Sequence, residues 1–366
     1  MSCKIIKMHH KLCDYTCMWN GIEDLYERKM GEEVPDYFFF CLSGIGNFVY
    51  LKFDKGRLRR MAGWGDGRTK KMYQAISDTA GFTYKHIEGR SFEYAMKKAK
   101  EQIDMDSPVV LGALDMYYLN YYPKFYHMAH IPIHYILMVG YDDEKQCAYF
   151  HDCGHQEIQK LSYADLEMAL NIEKTELSDK NTVCCVDFSK DVKSIRRIAI
   201  EGFKAKAKAA LNPPVSFVGI PGMRKLAKEI LSWQNEMSEV EFRTSLENIT
   251  IFTGTVPMLP DKLSGYRTAE DITHCAVRDR MGALFIELDE KYGIAGFKEA
   301  GKLFLQSGDI LQNMTDLIVE YLIGNRSELN DLPGMISRIA DIEEEAYMRI
   351  DEITSLLINK EHSKYA

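Results

Sequence analysis

Long apolar runs are missing from this sequence. No stretch approaches the roughly 18 uninterrupted apolar residues that mark a membrane-spanning helix, and the opening Met1-Ser2-Cys3-Lys4-Ile5-Ile6-Lys7 has no apolar segment of the kind an export signal carries. The expectation is a cytoplasmic protein with no membrane partner. Internal repeats of roughly 20–50 residues are also missing, which excludes solenoids and propellers. Cys-x-x-Cys pairs are missing as well. The nine cysteines are odd in number and scattered, so they read as reduced thiols rather than a disulfide framework. Cys13/Cys17, Cys153/His155, Cys184-Cys185 and His127/His130 lack the spacing of a structural zinc site, and no metal is expected. Positive charge is in deficit: 46 Lys and Arg stand against 54 Asp and Glu, a net charge of −8. A nucleic-acid partner, which needs a basic face, is therefore not expected. A cationic small substrate is compatible with that charge.

What is present is enough chain for two cores, 366 residues. Its texture changes near residue 190. Before it, short β-rich runs alternate with helical stretches: Tyr37-Phe38-Phe39-Phe40, Phe48 to Leu51, Pro108 to Leu114, Ile133 to Tyr141, Cys147 to Phe150 and Val183 to Phe188 read as strands. After it, apolar residues recur three and four apart, as in Ile336, Ile339, Ile342, Ala346 and Ile350. Helices are expected over 191–211, stopped by Pro213-Pro214, then over 221–235, 238–252, 269–292, 296–324 and 333–360. The fold class is α+β, with an antiparallel sheet domain over 1–189 followed by an all-α domain over 190–366.

One set of residues carries chemistry. Cys13 stands at the entry to a helix expected to extend to about Lys29, where unpaired N–H groups and the helix dipole stabilise a thiolate. The same N–H groups suit an oxyanion. Cys17 falls one turn later on the same face. Both cysteines also suit small buried hydrophobes. Further on, the run from His134 to Tyr141 and the run from Cys147 to Asp152 flank the turn-like Asp142-Asp143-Glu144-Lys145. A hairpin folded there sets His134 opposite Asp152 or within a position or two of it. A histidine base needs such a carboxylate to fix its tautomer and stabilise its charged form. Otherwise His134 is a strand-end histidine bonded to backbone. Cysteine on a helix, then histidine on a strand, then aspartate on the next strand is the order of papain-like cysteine enzymes.

The ordered motifs resemble the butirosin biosynthesis protein H type of protein, whose N-terminal domain has a papain-like cysteine-protease fold. Cys13-Asp14-Tyr15-Thr16 is similar to its cysteine motif, with Leu12 where a histidine is usual. Ser43-Gly44-Ile45-Gly46-Asn47-Phe48 resembles its glycine-rich loop, and Asp115 to Tyr121 its Asp-x-Tyr-x-Leu-x-Tyr segment. His134 to Asp142 resembles its His-Tyr-x-x-x-Val-Gly-Tyr-Asp run, and Asp152 falls where it has an aspartate. Gly219 to Trp233 resembles the start of its helical domain. The resemblance implies an amide-forming acyltransferase. An acyl group would pass from a carrier-protein thioester to Cys13, then to an amine such as an aminoglycoside, diamine or polyamine. His134 would serve as base and Asp152 as its orienting acid. No cofactor is expected beyond the phosphopantetheinyl arm of that carrier protein.

Asp115 either binds the substrate amine or ends its strand. Tyr117, Tyr118 and Tyr121, with Tyr122, Phe125 and Tyr126, either wall a pocket or pack the core. His9 and His10 either contact an oxyanion or are surface residues of a flexible start, the second reading being preferred, and His127 and His130 are stand-ins for the base if the hairpin register differs. A cysteine peptidase, amidase or thioesterase would use the same residues, and a binding protein could keep the fold without the chemistry.

Overall fold

The computed structural model describes residues 3–12, 17–44, 47–64, 72–175, 178–188, 191–250 and 277–365. Cys13, Ile45-Gly46 of the glycine-rich stretch, and positions 251–252 and 269–276 of two expected helices lie outside the described residues. The elements begin with β1 (Cys3–Ile5), α1 (Cys17–Met30), α2 (Phe38–Leu42), β2 (Val49–Lys52) and β3 (Arg60–Gly63). Next come α3 (Met72–Ala80), β4 (Thr83–Ile87), α4 (Phe92–Asp104) and β5 (Val109–Leu114). A 3₁₀ turn at Met116–Tyr118 leads to β6 (His134–Asp142), β7 (Cys147–Asp152), β8 (His155–Ser162), α5 (Tyr163–Leu170) and β9 (Val183–Asp187). The remainder is helical: α6 (Ile195–Leu211), α7 (Gly219–Glu229), α8 (Trp233–Glu236), α9 (Glu239–Thr250), α10 (Val277–Tyr292), α11 (Phe297–Leu322) and α12 (Leu332–Tyr365).

The chain divides into two units, Met1–Phe39 with Arg68–Ser194, and Phe40–Gly67 with Ile195–Ala366. The first holds a seven-stranded sheet of order β4-β9-β5-β6-β7-β8, its pairs antiparallel. β5 takes the first half of β6, and β1 takes its end, pairing Ile5 with Gly140. A side chain at Gly140 would meet the Lys4 carbonyl at 2.5 Å, so only glycine lets β1 lie there. All nine residues of β6 are buried. Helix α1 covers one face closely: a Cβ on Gly21 would stand 3.2 Å from Leu137 and Val110. On the alternate face Ala95, Met96, Ala99 and Ile103 of α4 join Val109, Leu111, Ile136 and Met138 in one core. The period-2 alternation of β5 and β6 thus serves two apolar layers, which is why both read as continuous hydrophobic runs.

Tyr37 to Phe40 is not a strand. Phe38 N–H donates to the Pro35 carbonyl at 3.1 Å, and a short helix follows with Phe38 and Phe39 fully buried. A short apolar run has the same appearance in either conformation, and the preceding proline turn decided this one.

The second unit is helical, with one added hairpin. β2 and β3 pair antiparallel, and Tyr50 N–H donates to the Phe217 carbonyl at 2.8 Å. Trp233 Nε1 donates to the Tyr50 hydroxyl at 3.1 Å, and that hydroxyl donates to Glu229 at 2.7 Å. These bonds place residues 40–67 with the helices, an interleaving that a single boundary near 190 does not include. Helices α10 and α11 approach closely because Gly282 and Gly301 face each other; a Cβ on Gly301 would meet the Gly282 carbonyl at 2.7 Å. Ile336, Ile339, Ile342, Ala346 and Ile350 of α12 are all buried.

A buried ion pair fixes this helical core. The Arg278 guanidinium bonds the Glu343 carboxylate through two nitrogens, at 2.6 and 2.8 Å, and Ser307 donates to the same carboxylate at 2.7 Å. Glu343→Ala strands a buried guanidinium and is expected to cost about 3–5 kcal/mol in urea unfolding. The double change Arg278→Met with Glu343→Leu should recover most of that loss. A single substitution that left the urea midpoint unchanged would refute this account of the pair.

Candidate active site

The site is built at one end of the sheet, where β6 begins and β7 ends. His134 is the first residue of β6, paired with Leu114 of β5, and Asp152 is the last residue of β7. The β6–β7 ladder runs from Asp142↔Cys147 to Leu137↔His151 with one shift between Met138 and Gly140. The shift moves the pairing by one residue, within the range expected from the turn. His134 Nε2 lies 2.9 Å from both Asp152 oxygens, and the carboxylate is fully buried. With Nε2 held as a donor to Asp152, Nδ1 is the ring nitrogen left to exchange a proton.

Asp152 has two further donors. The Tyr121 hydroxyl reaches Oδ2 and the Tyr122 hydroxyl Oδ1, each at 2.9 Å. Burial, together with the Asp152 charge, pushes both phenols well above their ordinary range, so they remain donors. Burial alone would raise Asp152, but the His134 charge and the three hydrogen-bond donors hold it below the usual carboxylate value. Burial likewise disfavours a charged His134, yet Asp152 and the neighbouring Cys17 thiol outweigh it and lift the imidazole to about 10. At neutral pH the pair is an imidazolium beside a carboxylate. The Tyr122 ring stands edge-on to His134 at 5.4 Å, and both tyrosines stand edge-on to the His155 ring. The result is an aromatic collar around the carboxylate. Even the turn that follows fits this collar, since a Cβ on Gly154 would press within 3.1 Å of the Tyr122 hydroxyl.

Among the described residues the thiol in hydrogen-bonding reach of His134 is Cys17, at the start of α1. Its sulfur also lies 3.9 Å from the Ile133 carbonyl. Cys153 brings its sulfur within 4.8 Å of the His134 and Asp152 donor atoms. A second set within that distance is His10, Asp24 and His151. In both sets the carboxylate already accepts hydrogen bonds from ring nitrogens, and we assign no metal to either.

The chain matches the family model described as Butirosin biosynthesis protein H, N-terminal, over residues 16–153. Over these residues the chain is similar to the N-terminal domain of butirosin biosynthesis protein H. The match takes in Cys17, His134 and Asp152 and begins three residues after Cys13. Residues 164–254 match a second model, Domain of unknown function (DUF4872). No curated protein matches the chain. The match points to a biosynthetic enzyme. No helix among the described residues is long and apolar enough to cross a membrane.

In this butirosin H-type domain the Asp-x-Tyr-x-Leu-x-Tyr segment has a structural job at each position. Asp115 Oδ1 accepts from the N–H groups of Tyr117 at 3.1 Å and Ile131 at 2.8 Å, and Oδ2 meets His130 Nδ1 at 2.6 Å. Asp115 thereby closes the loop between β5 and β6, and of its two readings the strand-ending one describes these bonds. Tyr117 stacks on His130 with centroids 4.1 Å apart, Tyr118 packs against the core, and Leu119 is fully buried. Tyr121 then reaches Asp152. Of the residues expected at the substrate, the structure brings Tyr121 to the His134–Asp152 pair. Asp115, Tyr117 and Tyr118 build the loop that carries it.

His10 is not a surface residue. It is buried against Asp24 and His151, whereas His9 is exposed. His127 and His130 lie on the loop, stacked on Tyr126 and Tyr117 respectively. Asp142 and Asp143, acidic residues next to the turn, stand at the other end of β6, roughly 27 Å from His134 at about 3.4 Å per residue. There they bind Lys145 and Lys100, beside a cavity of about 700 Å³ lined by Met96, Tyr141 and Tyr163. That cavity is remote from the pair.

Proposed function

We propose that the chain is an amide-forming acyltransferase that takes an acyl group from a carrier-protein thioester and passes it to an amine. The observation that carries this reading is the buried His134–Asp152 pair, its Nε2 held by the carboxylate, beside the thiol-bearing end of α1. Cys13, four residues before Cys17, is the proposed nucleophile. Its thiolate attacks the thioester carbonyl, and the N–H groups at the amino end of α1 stand where the oxyanion develops. The carrier's pantetheine sulfur leaves and takes the proton of His134. The acceptor amine then attacks the acyl-cysteine, loses its proton to His134 Nδ1, and the cysteine sulfur departs. A collar of half-buried tyrosines around the fully buried Asp152 carboxylate excludes water on that side, which favours transfer over hydrolysis. The acceptor is proposed to be cationic, such as an aminoglycoside, diamine or polyamine. The family and the net charge of −8 support this, without the help of Asp142 and Asp143.

Incubation with an acyl-pantetheine thioester should add one acyl mass to the intact protein, mapped to the Cys13 peptide. Cys13→Ala should lose it and Cys17→Ala should keep it. A second reading makes Cys17 the nucleophile, because its thiol is the one hydrogen-bonded to His134 among the described residues. The opposite result in the two variants would establish that reading, and labelling of Cys153 would sink both. Discharge of the acyl-enzyme onto a diamine, ahead of water and of a matched neutral alcohol, supports amide formation. Equal loss to water with either acceptor would instead make the chain a thioesterase or peptidase.

A further inference from the structure

A second buried histidine–aspartate network lies behind the first. His10 Nδ1 is 2.7 Å from Asp24 Oδ2, and its Nε2 is 3.1 Å from two backbone carbonyls, those of Asp152 and His155. Those carbonyls belong to the two ends of the two-residue turn between β7 and β8, where Asp152 pairs with His155. Asp24 sits on α1, the helix with Cys17 at its amino end. The same Asp24 oxygen is 3.3 Å from Nδ1 of His151, the neighbour of Asp152 on β7, and the His10 and His151 rings stack at 4.5 Å. Each partner of the His10 ring is an acceptor: a carboxylate on one side, carbonyls on the other. Both ring nitrogens must therefore carry hydrogen, and the ring is an imidazolium held by Asp24.

We propose that His10, held by Asp24 and seconded by His151, is a positioning device that clamps the Asp152–His155 turn to helix α1. Through it the carboxylate of the His134–Asp152 pair and the thiol-bearing end of α1 are kept at a fixed separation. His10 touches no reacting atom and acts through Asp152. The clamp rests on the proposed reaction only for its purpose; its geometry stands apart from it.

The groups facing His10 decide its response to pH. From α1 comes Asp24, whose Oδ1 also accepts the Lys11 N–H at 3.1 Å. Beside it is Glu23, which burial pushes up to about 8 and keeps protonated at neutral pH, so it ionises in the alkaline part of the series. From β7 comes His151; from β8 come the His155 carbonyl and Gln156, which bonds the His10 carbonyl. Burial opposes charge on His10, but the Asp24 hydrogen bond and charge outweigh it and raise the ring above its ordinary value. A raised folded-state value means that the clamp is complete below about pH 6.5 and is lost as pH rises through the folded value.

The test uses the full chain and three variants, His10→Ala, His10→Gln and Asp24→Asn. Three measurements are made from about pH 5.5 to 11: amide hydrogen exchange of residues 153–155, iodoacetamide alkylation of the site thiol, and the NMR titration of His134. His10→Ala should speed exchange in the turn and slow alkylation about tenfold or more, as a small misplacement does. His10→Gln keeps a donor near the Nε2 position and should recover part of both. Asp24→Asn removes the charge that holds the second proton. It should match the unmodified chain at low pH and His10→Ala at high pH.

If His10→Ala fails to fold, the pH dependence of Asp24→Asn alone decides. A defect in Asp24→Asn that is equal at every pH would reduce the network to packing, and unchanged exchange and titration in all three would overturn the clamp. Shifts as expected in a chain that forms no acyl adduct would uphold the clamp while removing the proposed reaction.

Discussion

His134→Ala is expected to slow formation of the acyl-enzyme by about 10²–10⁴-fold, the range a positioned general acid or base supplies. The two nitrogens of the ring have different duties. Nε2 is committed to both Asp152 oxygens at 2.9 Å, so a proton taken from a thiol or amine can go only to Nδ1. Removing the ring also removes the cation that favours thiolate over thiol. The two losses separate experimentally. In the unmodified chain His134 stays charged up to about 10, so the site thiol should react with iodoacetamide well below the ordinary thiol range of about 8.5. In His134→Ala the alkylation rate should instead follow that ordinary value, with no plateau at neutral pH. Alkylation and acylation that keep their rates and pH profiles in His134→Ala would remove the histidine from the mechanism.

The way this site is divided along the chain explains which parts the sequence discloses. The His134–Asp152 pair is legible because a hairpin about Asp142 to Lys145 leaves little freedom in which residues meet at its open end. The one-residue shift near Gly140 changes the ladder without separating them. The helices beyond 190 are legible for a similar reason, since apolar positions three and four apart are long-range evidence summed over many turns. Edge strand β8 is not legible: half of its residues are exposed and only Leu161 is buried, so His155 to Ser162 lacks the apolar alternation that identifies a half-buried strand. Nor is the Phe38–Leu42 helix, where five residues give periodicity nothing to act on.

The roles of His10 and Asp24 depend on contacts made across 142 and 14 residues respectively. Only the doublet His9-His10 stands out in the sequence, and nothing in it shows that one ring is buried and the other exposed. Tyr121 and Tyr122 stand out as aromatics, but their hydroxyls find Asp152 only because Asp115 and His130 close the loop between them. An aromatic cluster read as a pocket wall thus contains the orienting shell of the acid.

Asp152→Asn is expected to be about one to two orders of magnitude milder than loss of His134, as removal of an orienting acid is compared with loss of the base itself. Asn keeps the shape and one acceptor oxygen, but three donors converge on this side chain: His134 Nε2 and the hydroxyls of Tyr121 and Tyr122. One amide oxygen cannot serve all of them, and the amide NH₂ must turn toward a hydroxyl, which then has to accept. Asp152→Ala leaves every one of those donors without its acceptor in a buried place, each costing about 1–3 kcal/mol. It should destabilise the domain as well as inactivate it.

The pH dependence distinguishes the charge of Asp152 from its shape. Asp152 is held below the usual carboxylate value, so its contribution to stability is present above about pH 4 and disappears as pH falls through the lower folded value. His134 is raised to about 10, so its contribution is complete below about pH 6.5 and disappears as pH climbs through 10. The stability gap between the unmodified chain and Asp152→Asn should therefore be widest from about pH 4 to 6.5 and narrow steadily toward alkaline pH. Urea unfolding at a series of pH values measures it. A gap that stays constant from pH 5 to 9 would mean that the variant lost packing alone and that no ion pair lies at the centre of this site.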